Sequence, residues 1–364
     1  MRRVLLIAEW QVSQLVRGVV DYARSHDWHL VIWHAGEAGE AVRTFDGDGI
    51  IGNSSIHRLF APANVGQRQV RLVSCVPLKY NSIPYTLVRE DDAAIGRLAA
   101  DYFFDAGFVN FACFSSSARG REFLRVVSER NARSCRHLAT TASHEGLVQW
   151  LRTLPEPCAL FAENDWDGSA VINAALLNGI DIPGRLSVLS VGNDYCVCHA
   201  SSIALSSIDS RLWLVGYTAA AELERLLNGG EVNREGIAIS PAPLPIERQS
   251  MDFAVRTDPR LREIVEYMKS SISQPMTMYS IAWHFGLSVS SLYKLFVNHF
   301  GEGPKQILLK LRLRHVDGLL RENRLPLKEI SSSAGFPTAT AFFSAFRRFY
   351  GCTPKQWRDS LEQQ

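Results

Sequence analysis

The sequence predicts a two-lobed α/β region built on parallel sheets, followed by an all-helical domain with two helix-turn-helix motifs. Three observations carry this. The last hundred residues hold two copies of one pattern, SIAWHFGLSVSSLYKLFVNHFG from Ser280 to Gly301 and EISSSAGFPTATAFFSAFRRFYG from Glu329 to Gly351. The preceding part alternates short apolar runs with amphipathic stretches of a dozen residues, the pattern of parallel strands covered on both faces. Between the two lies SPAPLPIERQSMDFAVRTDP, rich in proline and polar residues and without helical period, which reads as an inter-domain connection.

In chain order, RRVLLIA is a strand, SQLVRGVVDYARSH an amphipathic helix and WHLVIWH a second strand. DGIIGN and QVRLVSCV follow as strands, then a helix in AAIGRLAADYFFDAG and a strand in VNFACFS. GREFLRVVSERNARS is helical, CALFAEN a strand, WDGSAVINAALLNG a helix, LSVLSVGN a strand and LWLVGYTAAAELERLLNGG a helix. That is more strands than one sheet usually holds, so two lobes are expected, with a ligand cleft near the carboxyl ends of the strands. Asp258 and Pro259 open the helical part, as cap and first-turn residue of DPRLREIVEYMKSSI. The expected division is residues 1–250 for the α/β region, 251–259 for the linker and 260–364 for the helical domain, with motifs at about 278–300 and 327–350.

Composition narrows the function classes. The chain of 364 residues carries a net charge of +2, but residues 258–364 hold six Lys and nine Arg against three Asp and six Glu, leaving +6 there and −4 elsewhere. A basic module on a mildly acidic body suits phosphate contact at one end. The seven cysteines show no repeated pair spacing, and C-V-C-H at 196–199 lacks a second ligand pair, so neither a disulfide framework nor a metal site is expected. No P-loop or dinucleotide fingerprint occurs, so no cofactor is expected. No apolar run would span a membrane and the first residues turn polar too early for a signal peptide, which makes a cytoplasmic protein the expectation.

Each motif copy is a short apolar helix, a turn with glycine and a second amphipathic helix, the arrangement that delivers a recognition helix to the major groove. In the first copy Ser288 is placed to cap that helix, and Leu292 and Phe296 face the core. Ser290, Tyr293 and Lys294 fall on the opposite side. In the second copy Phe342 and Phe346 take the core role, leaving Thr338, Ala339, Thr340, Ser344 and Arg347 towards DNA. Lysine and arginine suit phosphates, the hydroxyls suit base edges or phosphates, and Ala339 suits a thymine methyl.

With Ala282, Ser288, Leu292, Phe296, Gly301, Pro304 and Arg312 around the first motif, the helical domain resembles that of AraC/XylS-type transcription regulators. Around the second motif the matching residues are Ile330, Gly335, Phe336, Phe342, Phe346, Gly351, Thr353, Pro354 and Arg358. The resemblance implies two recognition helices joined by a long helix, here about 303–321, reading two successive major-groove faces of double-stranded promoter DNA. Two positions depart from it. Ala341 replaces a polar aromatic or serine, and Ser344 stands where arginine is usual, too short for a bidentate guanine contact.

The α/β region resembles the periplasmic-binding-protein-like sugar sensors of LacI-type repressors. The carriers are VRGVVDYARSHDWHL, DGDGIIGN, REDDAAIGRLAADYFFDAGFVNFACF, FAENDWDG, IPGRLSVLSVGND and ALSSIDSRLWLVGYTAAAELERLL. The combination implies a homodimeric, non-enzymatic transcription activator, with RNA polymerase as a further partner and a sugar such as xylose or another pentose as effector. Candidate effector contacts, all at strand ends, are Glu9, Trp10, Arg121, Asp165, Asn193 and Asp194. A sugar site needs such carboxylates and amides for hydroxyls and an aromatic ring for the apolar face. Here Gly192 occupies the position of a sensor aspartate, and Trp166-Asp167 replaces the arginine that follows the Asn-Asp step. Two other readings follow from these residues. One is a constitutive DNA-binding protein whose sensor fold serves only for dimerisation. The other is a glycoside hydrolase using Glu163, Asp165 and Asp167, against which helix capping explains the aspartates.

Overall fold

In the computed structural model the described residues are 1–9, 12–37, 42–53, 71–78, 84–130, 132–251, 259–300, 302–322 and 325–362. They form two compact units, Met1–Asp91 with Ser210–Pro241, and Asp92–Asp209 with Ala242–Glu362. Asp258 and most of the expected linker lie outside the described residues.

The first unit holds a six-stranded sheet of β1 (Arg2–Ala8), β2 (Trp28–His34), β3 (Gly49–Asn53), β4 (Arg71–Ser74), β5 (Tyr85–Glu90) and β11 (Ile237–Ile239). Its order is β11-β5-β4-β3-β1-β2 and every pairing is parallel. β1 lies between β3 and β2, and Val4 to Ile7 are completely buried because both faces of the sheet are covered. On one face Leu15 and Val19 of α1 (Ser13–Ser25) meet Val215, Ala219 and Leu223 of α7 (Leu212–Leu227) in one apolar cluster. β5 and β11 are shorter or more polar than the runs chosen from the sequence and are read only in the structure.

The second unit begins with α2 (Asp92–Asp105) and carries a parallel sheet of order β10-β9-β8-β6-β7. Its strands are β6 (Asn110–Phe114), β7 (Ser134–Leu138), β8 (Cys158–Ala162), β9 (Leu186–Val191) and β10 (Ser206–Ile208). α3 (Ala118–Glu129), α4 (His144–Arg152), α5 (Asp165–Leu177) and α6 (Tyr195–His199) connect them. α4 packs Leu147 and Leu151 in one cluster with Ala174 and Ile180, a helix that the sequence reading above does not include.

The helical part comprises α8 (Pro259–Ser270), α9 (Met278–His284), α10 (Val289–Phe300), α11 (Pro304–Glu322), α12 (Leu327–Ser333), α13 (Ala339–Tyr350) and α14 (Pro354–Glu362). Its first half does not have a core of its own. Leu261, Ile264, Met268, Ile281, Leu292, Phe296, Ile307 and Leu311 belong to one continuous buried cluster with Phe103, Phe111 and Phe123 of the α/β layer. Its second half gathers around Leu313, Val316, Leu320, Ile330, Phe342, Phe346, Tyr350 and Trp357.

The proline-rich stretch read as a connection is, up to Met251, part of these cores. Ala242 and Leu244 are buried in the second helical cluster. Ile246 exchanges backbone hydrogen bonds with Ser207 at 2.8 and 3.1 Å, and the Val188 N–H donates to the Ser250 carbonyl at 2.9 Å. Proline content signals a loop, but Ala242, Leu244, Ser250 and Met251 are buried here and backbone groups are paired, which composition does not register.

The turn of each motif carries a glycine in the left-handed region, Gly286 at φ 62° and Gly335 at φ 69°. They differ in surroundings. Added to Gly335, a Cβ would stand 2.2 Å from the Ile272 carbonyl oxygen, whereas at Gly286 nothing lies within 4 Å. Gly286→Ala is therefore expected to cost about 1–2 kcal/mol from backbone strain alone, and Gly335→Ala clearly more, because backbone must also move. Thermal unfolding of the two variants checks the order; equal losses would contradict it.

Candidate DNA-reading helices and effector site

The first motif is built by two caps. Thr277 and Ser280 cap α9 reciprocally, each backbone N–H donating to the other's hydroxyl oxygen at 3.0 Å. Ser288 caps α10 by accepting from the Ser291 N–H at 3.0 Å. Leu292 and Phe296 are fully buried, and Ser290 and Lys294 are exposed. Tyr293 is only half-exposed, because its ring lies over Gly303, where an added Cβ would meet Tyr293 Cε1 at 2.9 Å. Its ring helps seat α10 on the start of α11.

In the second motif Thr338, Ala339, Thr340, Ser344 and Arg347 are all exposed, while Phe342, Phe346 and Tyr350 are buried. The Thr338 hydroxyl accepts from the Ala341 N–H at 3.1 Å, so it is the helix cap. Gly351 ends α13 in the left-handed conformation, its N–H donating to the Arg347 carbonyl at 2.9 Å. Arg347 and Arg348 stand exposed in that last turn. α11 joins the motifs and is buttressed by the Trp357 indole, which donates to Asp317 at 2.7 Å.

α11 is also held to the α/β layer of the second unit. Lys310 pairs with Asp105 at the end of α2 and with Glu302, both at 2.9 Å. One turn on, Arg314 donates to Glu247 at 2.5 Å and lies over the Tyr102 ring at 5.0 Å, and the Tyr102 hydroxyl donates to the same Glu247 carboxylate. Burial pushes the Tyr102 phenol well above its ordinary range, and the Glu247 charge adds to this. It therefore acts as a donor throughout the neutral range.

The effector candidates are partly brought together. Asp165 opens α5 and is 3 % exposed. Its Oδ1 accepts from Ser190 Oγ at 2.5 Å and Ser207 Oγ at 2.6 Å, and its Oδ2 from the Asp194 N–H at 2.7 Å. Burial nevertheless holds its carboxyl above the ordinary aspartate range, against the hydrogen bonds that favour the charge. Both oxygens are engaged in clamping the β9–α6 loop. Gly192 belongs to this arrangement. At φ 127° a Cβ on it would stand 3.0 Å from Asp165 Oδ2, so the aspartate implied by the resemblance has no room beside this carboxylate.

Asn193 also has a positive φ, of 57°. Its N–H donates to Ser207 Oγ at 3.0 Å and its side-chain oxygen accepts from Arg248 at 2.6 Å. Asp194 caps α6 through the Val197 N–H at 3.0 Å. The cap of α5 is Asn164, which accepts from the Asp167 N–H at 3.0 Å. Arg121 is exposed on the neighbouring β6–α3 corner, reaching the Ser116 carbonyl at 3.4 Å. Glu9 is exposed beyond β1 in the first unit, and Trp10 lies outside the described residues.

Three residues not chosen from the sequence complete this edge. Trp166 is 55 % and Tyr195 74 % exposed, each at the carboxyl side of a strand of the same sheet. Asp167 accepts from the Asn164 side-chain amide at 2.7 Å; burial first, then the Glu163 charge, raises its carboxyl to about 6. The sequence marks Trp166 only as part of the replacement for an arginine, and Asp167 also as a member of the paired-carboxylate reading. A bulky aromatic directly after a strand's polar end was the signal. Glu163 itself accepts from the Ser116 and Ser117 N–H groups at 2.6 and 3.1 Å and from Ser115 Oγ at 2.9 Å. It thereby tethers the start of α3 to the end of β8.

Among the described residues no group of three or more His, Cys, Asp or Glu side chains is arranged to hold a metal ion, and no helix is long and apolar enough to cross a membrane.

Comparison with known proteins adds two domain matches, a helix-turn-helix domain over residues 281–360 and a periplasmic binding protein-like domain over residues 100–251. The xylose operon regulatory protein of Escherichia coli K12 is 26% identical over 366 aligned residues, covering 95% of this chain and 93% of its own. The solved structure of the xylose-binding transcription activator xylR superposes with a TM-score of 0.58 at 25% identity, covering 98% of both chains. A LacI family transcriptional regulator from Arthrobacter sp. FB24, solved with lactose, shares the α/β fold at TM-score 0.59 and 19% identity, over 69% of this chain and 99% of its own. All three are regulators of transcription by name. With both modules matched, and in this order, the chain carries an AraC-type helix-turn-helix domain after a periplasmic binding protein-like domain, the arrangement of a xylose-operon-type transcription regulator.

Proposed function

We propose that this regulator is a transcription activator controlled by a sugar, xylose or another pentose, and that it acts in the cytoplasm as a homodimer on promoter DNA with RNA polymerase as a further partner. In this reading residues 1–250 form the sensor, 251–259 the linker and 260–364 the DNA-binding domain. The observation that carries the effector assignment is the rim at the ends of β8 and β9, where exposed Trp166 and Tyr195 flank Asp167, Asn193 and Asp194. Aromatic faces suit the apolar face of a sugar, and carboxylates and amides suit its vicinal hydroxyls. Arg121 on the adjoining corner supplies further donors. Asp165 supports the rim from beneath by fixing the Asp194 loop. The likeness to the xylose operon regulatory protein along nearly the whole chain supports a pentose in particular.

On DNA, Ser290 and Lys294 of α10, and Ala339, Thr340, Ser344 and Arg347 of α13, form the reading set. Tyr293 and Thr338 hold the helices that present them. A constitutive regulator with an empty sensor draws support from one feature, the complete engagement of Asp165. A thermal-shift screen of the purified chain against pentoses, hexoses and sugar acids separates the two. A pentose at a hundredfold excess over its dissociation constant is expected to stabilise the protein by about 2.7 kcal/mol. No shift with any sugar would favour the constitutive reading.

Asp167 gives this assignment a pH signature. Its carboxyl loses charge as the pH falls through about 6, and a neutral carboxyl is a weaker acceptor for sugar hydroxyls. Pentose affinity is therefore expected to drop several-fold between about pH 7.5 and about pH 5.5. In Asp167→Asn the affinity is expected to be lower and insensitive to pH over that interval. Calorimetric titration at both values checks this, and a pH-independent wild-type affinity would remove Asp167 from the site.

A further inference from the structure

The two recognition helices present different chemistry. α10 offers polar handles in Ser290, Lys294 and Asn298, all exposed. On α13 the exposed side chains ahead of Arg347 are Ala339, Thr340, Phe343 and Ser344, among which no long donor or acceptor is found. Phe343 is the unusual member. It follows Ala339 by four residues and Thr340 by three and precedes Arg347 by four, so all lie on one side of the helix. Its neighbours Phe342 and Phe346 are fully buried, whereas Phe343 remains 41 % exposed. A ring of this size left on the outer side of a recognition helix, between two small residues and an arginine, is shaped for an apolar surface within a charged groove.

In the major groove that surface is the thymine 5-methyl group, the one apolar feature of the base-pair edges, and alanine, the threonine methyl and phenylalanine are the side chains that contact it. We propose that α13 reads thymine methyl groups, with Phe343 as principal reader, Ala339 and Thr340 beside it, and Arg347 and Arg348 anchoring the helix on phosphates. The proposal rests on the assignment of the helical half as DNA-binding and says how its second motif discriminates. The half-site facing α13 is rich in A·T pairs and is recognised by methyl groups, whereas the half facing α10 is recognised through hydrogen bonds. Ser344, which cannot grip guanine with two hydrogen bonds, fits the same preference.

The test uses the purified full chain to enrich binding sites from a randomised duplex pool. Each thymine of the enriched site is then replaced by deoxyuridine, which removes only the methyl group. Each contacted thymine in one half of the site is expected to lose about fourfold in affinity, the effect of one buried methyl-sized group. Phe343→Ala is expected to lose that sensitivity, and Phe343→Leu, which keeps an apolar branch, to retain most of it. The salt dependence of binding is expected to be the same in both variants, since no phosphate contact is removed; a changed slope in Phe343→Ala would instead point to a displaced helix and overturn the direct role. Uniform insensitivity to deoxyuridine, or equal sensitivity in Phe343→Ala, would also overturn it. A pool from which nothing is enriched would overturn the DNA-binding assignment itself, a separate and distinguishable failure.

Discussion

The first helix-turn-helix half shares one continuous buried core with the α/β layer. Leu292 and Phe296, which position its recognition helix, belong to the same buried cluster as Phe103, Phe111 and Phe123 of the α/β layer. Apolar area withdrawn from water supplies most of the stabilisation of such a core, and close packing makes it stiff. The reading helix is thereby referenced to a strand layer rather than to a flexible tether. Around this core the polar pairs of α11, Lys310 with Asp105 and Arg314 with Glu247, select one seating among those that apolar contact alone would allow. Their one-turn spacing fits a single rotation of α11 about its axis.

A ligand can shift a regulator only by the difference in its affinity for two arrangements of the protein. The structure suggests where such a difference would be felt. The β9–α6 loop is fixed by Asp165, and the residues that complete β10's environment, Ile246 to Ser250, include Glu247, the partner of Arg314 on α11. Few residues separate the rim of the proposed effector site from the ion pair on α11. Coupling of this kind needs an element with two seatings, and α11 is the element on which both motifs are built.

The helical half was the more readable part of the sequence. Its periodicity, its glycine turns and its capping serine and threonine residues are local features, and local features survive in a linear text. The long strands β1, β6, β8 and β9 were equally plain as apolar runs. What escaped were elements defined by distant partners: β11, β7 and β10 at sheet edges, β5 beside β11, α4, and the buried residues of 242–251. The candidate site followed the same division. That Asp165 lies at a strand end could be read from its neighbours. Its engagement by Ser190 and Ser207, 25 and 42 residues further on, could not. Tyr293 was placed on the outer face by its spacing, but the absence of a side chain at Gly303 draws its ring back onto the protein.

The stretch from Ala242 to Met251 bears on how such a chain came to be assembled. Its backbone completes the edge of the second sheet, while Ala242 and Leu244 fill sockets among Val316, Ile330 and Phe346. Neither neighbour owns it. A cut before this stretch would strip a strand-like edge from the α/β layer, and a cut after it would open apolar sockets in the second helix-turn-helix half. The DNA-binding half is thus not a cassette that can be transplanted at the visible break in composition. Any recombination that exchanged sensors would have had to carry these ten residues along or find substitutes for them, so the seam between the two halves is an inherited joint, not an interchangeable one.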